Sequence, residues 1–340
     1  MKFIHIADVH WGARPEREQT FGRIREQEIK ETFQRVIDHA NKQQVDLLLI
    51  AGDLFDQPPT QQELREVDYL LSRLNHTRTV LIAGNHDHLE PHDVFSQYKW
   101  NSEVYLLDGK QRDHISFEDL ETTIYGFSYW KNQITKPLYD HMKPDESESS
   151  DFSILLAHGG DESHIPIQRE ALKWSGFDYI ALGHIHKPMK VGSELYRYCG
   201  TPLACSVSEA QQQKGIIMVE MGVKGEVKTT ILPLEPLRQV KVVKGTLEEV
   251  LKESCKDYVT VILTDKADLD VIDMQERIRL AFPNLLEIRR ENQRKTDYTR
   301  TLQTEELLDP YELCCSFLKD LDEEEKMILQ DVLHTVQGVK

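Results

Sequence analysis

The chain has 340 residues, 39% hydrophobic and 29% charged, which suits a globular protein with one large domain and room for a smaller one. Its net charge is −17, from 41 basic against 58 acidic residues, so it lacks the overall basic character of a protein that grips nucleic acid unaided. No run reaches the roughly 20 apolar residues that span a bilayer, and MKFIHIADVH opens directly on a strand pattern with no signal-peptide n-region.

In chain order, FIHIAD predicts a first strand, followed by a helix whose apolar face carries Ile29, Phe33, Val36, Ile37 and Ala40. VDLLLIAGD predicts the second strand. After Pro58 and Pro59, the run from Thr60 to Glu63 has the form of a capping box and opens a helix with Leu64, Val67, Leu70, Leu71 and Leu74 on one face. TVLIAGN, TTIYGFSY, FSILLAHG and DYIALGH add further strands, near-continuous in apolar residues and therefore expected to be buried on both faces. Strand alternating with helix predicts an α/β core. DESESSD at 145–151 reads as a solvated loop. Between about 190 and 234 the segments ELYRYCG, GIIMVEM and EVKTTILPL carry little helix, which predicts a second, antiparallel sheet.

Past Pro233 and Pro236 the pattern becomes strand, short helix, strand, helix, strand up to residue 291, enough for a small α/β appendage. NQRKTDYTRTLQT is a polar linker. Two amphipathic helices follow, one carrying Cys314, Phe317, Leu318 and Leu321, the other Leu329, Val332, Leu333 and Val336. They either pack on each other and the appendage or dock a partner helix. The expected division is 1–236 for the core, 237–292 for the appendage and 293–340 for linker and helices. The five cysteines, Cys199, Cys205, Cys255, Cys314 and Cys315, show no C-x-x-C spacing and are odd in number, so a thiol-reduced, cytoplasmic protein is expected.

Five strand-like runs end in metal-ligand residue types. They deliver Asp8 and His10; Asp53 and Asp56 after Gly52; Asn85, His86 and Asp87 after Gly84; His158; and His184 and His186. Sites in α/β sheets form beyond the carboxyl ends of strands, where neighbouring loops converge. Each piece alone is a weak signal, but five in series are not a chance pattern. Carboxylate, imidazole and amide oxygen make a mixed O/N donor set without thiolate bias, suited to Mn²⁺, Fe²⁺ or Zn²⁺.

The series D-x-H, G-D-x-x-D, G-N-H-D, H and G-H-x-H resembles the calcineurin-like metallophosphoesterase family. GDLFD, DYIALGHIH followed by RYCGTP, and the domain order are similar to its bacterial SbcD nuclease branch. The resemblance implies a two-sheet β-sandwich flanked by helices, with a small α/β cap facing DNA and C-terminal helices that bind a partner. It implies that Asp8, His10, Asp53 and His186 hold one divalent ion, with Mn²⁺ the expected metal, and that Asp53, Asn85, His158 and His184 hold the other. By the same resemblance His86 donates a proton to the leaving group, a task for which an imidazole of pKa about 6.5 is suited. Asp87 orients His86 or a ligand, or else is a turn residue bonded to local backbone.

The implied activity is exonuclease action on double-stranded DNA ends and endonuclease action on single-stranded or hairpin DNA, in repair, recombination and replication. An SMC-like ATPase of the SbcC type is the implied partner, with a homodimer through the nuclease domain and no membrane association. Relatives often carry histidine where this chain has Asp56, so Asp56 is expected to support the ligands from behind. Arg14 and Arg17, in the loop after the first motif, are either DNA contacts or solvated residues. His5 reads as a core or sheet residue, while His88, His92 and His164 read as loop residues near the motifs. His39, His76, His114, His141 and His334 carry no signal. Two other classes remain open on sequence: a small-molecule phosphodiesterase or phosphatase, and a non-catalytic scaffold for an ATPase.

Overall fold

The computed structural model describes residues 1–291, except 111, 146, 149, 211, 224 and 266–270, together with 323–336. Two six-stranded sheets form the core. The first is ordered β12 (Val227–Pro233), β11 (Gly215–Met221), β1 (Lys2–Ile6), β2 (Leu47–Ala51), β3 (Arg78–Ile82) and β4 (Val104–Leu106). The second is ordered β5 (Asp113–Phe117), β6 (Thr122–Gly126), β7 (Phe152–His158), β8 (Tyr179–Gly183), β10 (Tyr196–Tyr198) and β9 (Met189–Lys190). β1 through β4 are parallel, as are β6, β7 and β8.

The segments from 190 to 234 do not build a second antiparallel sheet. β11 and β12 form a hairpin that extends the first sheet, with β11 antiparallel to β1 (Phe3 opposite Val219). β10 joins the second sheet parallel to β8, and the second sheet is mixed. The length of the connection explains the difference. A hairpin turn enforces an antiparallel neighbour, whereas the loop between β8 and β10 is long enough to return the chain in the same direction.

Side chains alternate across these strands, and both faces are covered. Phe3, Leu47, Leu49, Val80 and Ile82 face Ile124, Ile154, Leu156 and Tyr179 between the two sheets. The opposite face of the first sheet, with Ile4, Leu48, Ile50 and Leu81, is covered by α1 (Gly22–Gln43) and α2 (Gln61–Leu71). The expected faces of both helices point inward: Ile29, Phe33, Val36 and Ile37 on α1, and Leu64 and Val67 on α2. At the start of α2 the Thr60 hydroxyl accepts from the Glu63 amide, and the Glu63 carboxylate accepts from the Thr60 amide, which is the capping box of the sequence. Aromatic side chains cover the outer face of the second sheet, with Phe127 stacked on Tyr139 at 4.5 Å.

Beyond the core lies a three-stranded sheet of β13 (Val240–Gly245), β14 (Tyr258–Leu263) and β15 (Leu285–Arg290). Two helices, α4 (Leu247–Val250) and α5 (Val271–Ala281), accompany it, and Val259, Val261, Met274 and Ile278 form its own small core. The remaining core helix is α3 (Arg169–Lys173). This sheet is tied to α1: the Tyr258 hydroxyl donates to Glu28 at 3.0 Å, and the Arg25 guanidinium stacks 4.3 Å above the Tyr258 ring. The chain divides into two units, Met1–Arg289 and Arg290–Lys340. In the second, α6 (Glu323–Val336) carries Leu329, Val332, Leu333 and Val336 along its length. The helix expected around Cys314 to Leu321 lies outside the described residues. Among the described residues no helix is long and apolar enough to cross a membrane.

Candidate metal centre

The carboxyl ends of β1, β2, β3, β7 and β8 open onto one rim of the sandwich, and the loops leaving them carry the predicted residues. The loops after β1 and β2 run side by side beyond the strands. Asp8 N donates to Gly52 O (3.1 Å), His10 N to Asp53 O (3.1 Å) and Trp11 N to Leu54 O (2.9 Å). Asp8, His10, Asp53 and His184 all take positive φ, at 54°, 51°, 50° and 93°. Such backbone costs roughly 1–3 kcal/mol per residue and persists only where the surroundings enforce it. Among the described residues, four of the nine non-glycine positions with positive φ are these, whose side chains must turn inward together.

Two glycines make this approach possible. A Cβ on Gly84 would strike the Asp53 carboxylate, and the Asp53 backbone N would lie 2.6 Å from it. A side chain on Gly52, itself at φ 89°, would run into the His158 ring.

Two donor groups result. Asp8, His10 and His186 bring one ligand atom each within 4.8 Å of the others, and so do Asp53, His158 and His184. Asn85 joins the second group, its Oδ1 lying 3.1 Å from His158 Nε2 and 3.0 Å from His184 Nδ1. Asp53 lies in a further cluster with His10 and His86, which links the two groups. Asp8 accepts from the His184 amide at 3.0 and 3.1 Å.

The nitrogen that each imidazole turns away from the centre has a partner. His158 Nδ1 donates to Ala51 O at 2.8 Å, and His184 Nε2 lies 2.7 Å from Asp161 Oδ2. His10 Nδ1 is 3.2 Å from Asp56 Oδ1, a charge contact without good hydrogen-bond alignment. His186 Nδ1 is 3.5 Å from Glu209 Oε1. For His158 and His184 these partners place the ring protons on the outer nitrogens, and carboxylates face the outer nitrogens of His10 and His186, the arrangement by which ligand imidazoles are oriented. Lone pairs then face inward. His10 Nε2 lies 3.2 Å from His186 Nε2, and His158 Nε2 lies 3.3 Å from Asp53 Oδ2 as well as close to Asn85 Oδ1. Acceptors converge with no donor between them, and a cation satisfies this arrangement. The residues therefore fit divalent metal ions.

Electrostatics agree. Burial disfavours charge on His158, yet the Asp53 carboxylate outweighs it and raises the pKa to about 9. Burial opposes charge on Asp53 too, but His158 and the neighbouring imidazoles hold it well below the usual carboxylate range. In the metal-free chain a second proton, on His158 Nε2 facing the Asp53 carboxylate, takes the place of the cation. Burial and the nearby Asp53 charge push Asp87 up to about 7.

The remaining predicted residues take distinct places. His86 is exposed; its backbone N donates to Asp53 Oδ1 (2.9 Å), its Nδ1 meets Asp56 O (3.0 Å), and its ring lies 4.8 Å from that of His10. Asp87 is fully buried and accepts from Gly84 N (2.6 Å) and Phe55 N (3.1 Å), so its carboxylate braces the loops after β2 and β3. Arg14 and Arg17 are exposed outside the donor groups, with Arg14 paired to Glu26 at 2.6 Å.

Sequence reasoning missed Asp161 and Glu209. Asp161 lies three positions beyond His158, at the foot of the same loop, where a carboxylate near a ligand was a usable signal. Its carboxylate bridges His184 (2.7 Å) and His164 (2.9 Å) and accepts two backbone amides, so that small cluster is internally satisfied. Glu209 stands 23 residues from His186, with no local cue.

The calcineurin-like phosphoesterase family matches residues 1–188. The chain belongs to that family. Residues 234–321 match a second family, described as the type 5 capsule protein repressor C-terminal domain. The chain is 25% identical to the SbcD component of the nuclease SbcCD of Staphylococcus epidermidis, with 84% of each chain covered. It is 28% identical to the same component of the nuclease SbcCD of Staphylococcus saprophyticus, with 74% of each covered. It is also 26% identical to the DNA double-strand break repair protein Mre11 of Methanopyrus kandleri, covering 82% of this chain and 71% of that one. A metallophosphoesterase hydrolase is the activity class these matches carry.

Proposed function

We propose that this chain is a two-metal DNA phosphodiester hydrolase, the nuclease subunit of a complex with an SMC-like ATPase of the SbcC type. The observation that carries the reading is the pair of donor groups joined at Asp53, each with imidazole lone pairs turned inward. The names of its relatives, a nuclease in two and a DNA double-strand break repair protein in a third, direct the choice of substrate towards DNA. In this reading Asp8, His10, Asp53 and His186 hold one ion, and Asp53, Asn85, His158 and His184 hold the other, with Mn²⁺ the expected metal. When bound, the ions supply Lewis-acid activation of water and neutralise charge on the phosphoryl group.

The chain's own residues then divide the work. Asn85 sets its amide oxygen beside the inward nitrogens of His158 and His184, as a further acceptor turned to the same point. Asp87 keeps the loops after β2 and β3 in register. His86 stands at the solvent-exposed edge beside His10, with the Asp56 carbonyl holding the proton on Nδ1. An imidazolium so held carries its transferable proton on Nε2, and donates it to the leaving oxygen. Exonuclease action on double-stranded ends and endonuclease action on single strands or hairpins follow from this reading, in cytoplasmic DNA repair, recombination and replication. Residues 1–236 form the nuclease domain and its homodimer contact, 237–292 the DNA-facing cap, and 293–340 the segment that binds the ATPase. With a net charge of −17, the chain leaves much of the DNA affinity to the complex.

The test is cleavage of single-stranded circular DNA and of linear duplex in Mn²⁺, with and without the ATPase. Wild type should cut, and His86→Ala should lose about 10²- to 10⁴-fold in rate while still binding two ions. Turnover of small phosphodiesters without DNA cleavage, even with the ATPase present, would overturn the assignment.

A further inference from the structure

The RYCGTP segment, which has no part in the proposed chemistry, ends beside the metal centre. Gly200 takes φ 71°, and a Cβ there would lie 2.7 Å from the His186 carbonyl oxygen and 2.6 Å from Pro188 Cδ. The backbone of the motif thus lies directly against the residue that carries the last predicted ligand. Thr201 N donates to His186 O at 3.2 Å. Lys214, 7% exposed, donates from Nζ to the same carbonyl at 2.9 Å and to the Thr201 hydroxyl at 2.6 Å. It also pairs with Glu209 Oε2 at 2.6 Å. Glu209, 4% exposed, accepts from Thr201 Oγ1 at 2.8 Å on one oxygen, while its other oxygen accepts from Ser206 Oγ at 2.8 Å and lies 3.5 Å from His186 Nδ1. The contacts close a ring that runs from the His186 imidazole through Glu209 and Lys214 back to the His186 carbonyl.

We infer that Glu209, locked by Lys214 and Thr201, is a positioning residue that sets the ring orientation and tautomer of His186 for metal binding. This rests on the metal-centre reading above. The ring holds His186 at two points, side chain and main chain, whereas a pair serving the fold alone has no need to reach the imidazole. Burial opposes the Glu209 charge, and Lys214 and the hydroxyl and imidazole donors overcome it. A carboxylate at Nδ1 keeps the proton on that nitrogen and leaves Nε2, 3.2 Å from His10 Nε2, as the donor atom. The Glu209–Lys214 pair also lines a cavity of about 410 Å³ bounded by the Pro233–Pro236 segment and Val240.

The experiment is a calorimetric Mn²⁺ titration of the full-length metal-free chain, with urea unfolding of each variant as the control for folding. Glu209→Gln keeps the size of the side chain and removes its charge. Because the change leaves Lys214 buried without a counter-charge, the pair Glu209→Gln with Lys214→Met is measured alongside it. The expected result is two ions in wild type and, in both variants, roughly 10- to 100-fold weaker binding of one ion with the other unchanged. Lowered unfolding stability with wild-type affinity for both ions would overturn the positioning role and leave a purely structural pair. Should a variant fail to fold, Thr201→Val provides the same readout with a gentler change, and unaltered affinity there counts equally against the inference. Wild type binding no pair of ions would instead refute the metal-centre reading itself.

Discussion

Two fully buried histidines stand in different regions of the sandwich, and burial alone does not distinguish them. His5 lies in the middle of β1 and His158 at the carboxyl end of β7, each with 0% exposure. The nearest partner of His5 is the neutral Tyr179 hydroxyl at 3.1 Å, and desolvation lowers its pKa to about 3. His158 meets the Asp53 carboxylate at 3.3 Å, and its pKa rises to about 9. The same side chain at the same depth is a neutral core residue in one region and a charge-bearing donor in the other. The carboxylates delivered by adjacent strand ends make the difference.

The strongest way to break this contrast is to remove the carboxylate. Asp53→Ala should abolish binding of both ions. In metal-free protein at neutral pH it should also cost about 3 kcal/mol, the low end for removing one partner of a buried pair, because the imidazole can discharge. Calorimetric metal titration and urea unfolding measure the two effects. Retention of a tight two-ion site would show that Asp53 does not join the donor groups.

The contrast sharpens with pH, because the two histidines carry opposite signs. A folded-state pKa of about 3 lies below the ordinary value of 6.5, so between these values the unfolded chain binds the extra proton at His5. The His5 contribution is therefore intact above pH 6.5 and lost as pH falls, by about 1.4 kcal/mol per unit. On going from pH 6.5 to 5, His5→Gln should lose roughly 2 kcal/mol less stability than wild type. Equal losses in the two proteins would mean that His5 charges without penalty in the fold. For His158 the raised value reverses the sign: in metal-free protein its contribution is complete below pH 6.5 and lost as pH rises through about 9.

This contrast marks what the sequence makes legible. The longer strands, α1, α2 and the capping box at Thr60 follow from apolar periodicity and local side-chain chemistry, which act over a few residues, whereas β4, β5, β9 and α3 carry too few apolar residues to show. Asp8, His10, Asp53, Asn85, His158, His184 and His186 stand out because each closes a strand, mostly beside glycine, and parallel strands place such ends together. The direction of β10 was not legible, because a long loop permits either pairing. Nor was the carboxylate that faces His186. Glu209 is one of 58 acidic residues, and only the fold brings it to the imidazole.

Asp161 offers an intermediate effect within the His158 region. Its carboxylate fixes His184 from the outer nitrogen, as Ala51 O fixes His158. Asp161→Asn should weaken one ion by about 10- to 100-fold and spare the group of Asp8, His10 and His186. Equal weakening of both ions would indicate that the groups act as one unit rather than as two joined at Asp53.

The smallest expected effect concerns the frame behind His158. The Tyr129 hydroxyl donates to the His158 carbonyl at 3.1 Å, and burial pushes its pKa well up, which keeps it a donor. Tyr129→Phe removes that donor and leaves a buried carbonyl short of a partner, for a cost of about 1 kcal/mol. Because the bond reaches the main chain rather than the ring, metal affinity should stay within about 2-fold of wild type, against the 10-fold or more expected when an imidazole loses its outer partner. Thermal unfolding and metal titration of the same sample separate the two. A large loss of affinity would show that the His158 ring is oriented through its main chain as well as through Ala51, and that the strand end is less rigid than its burial implies.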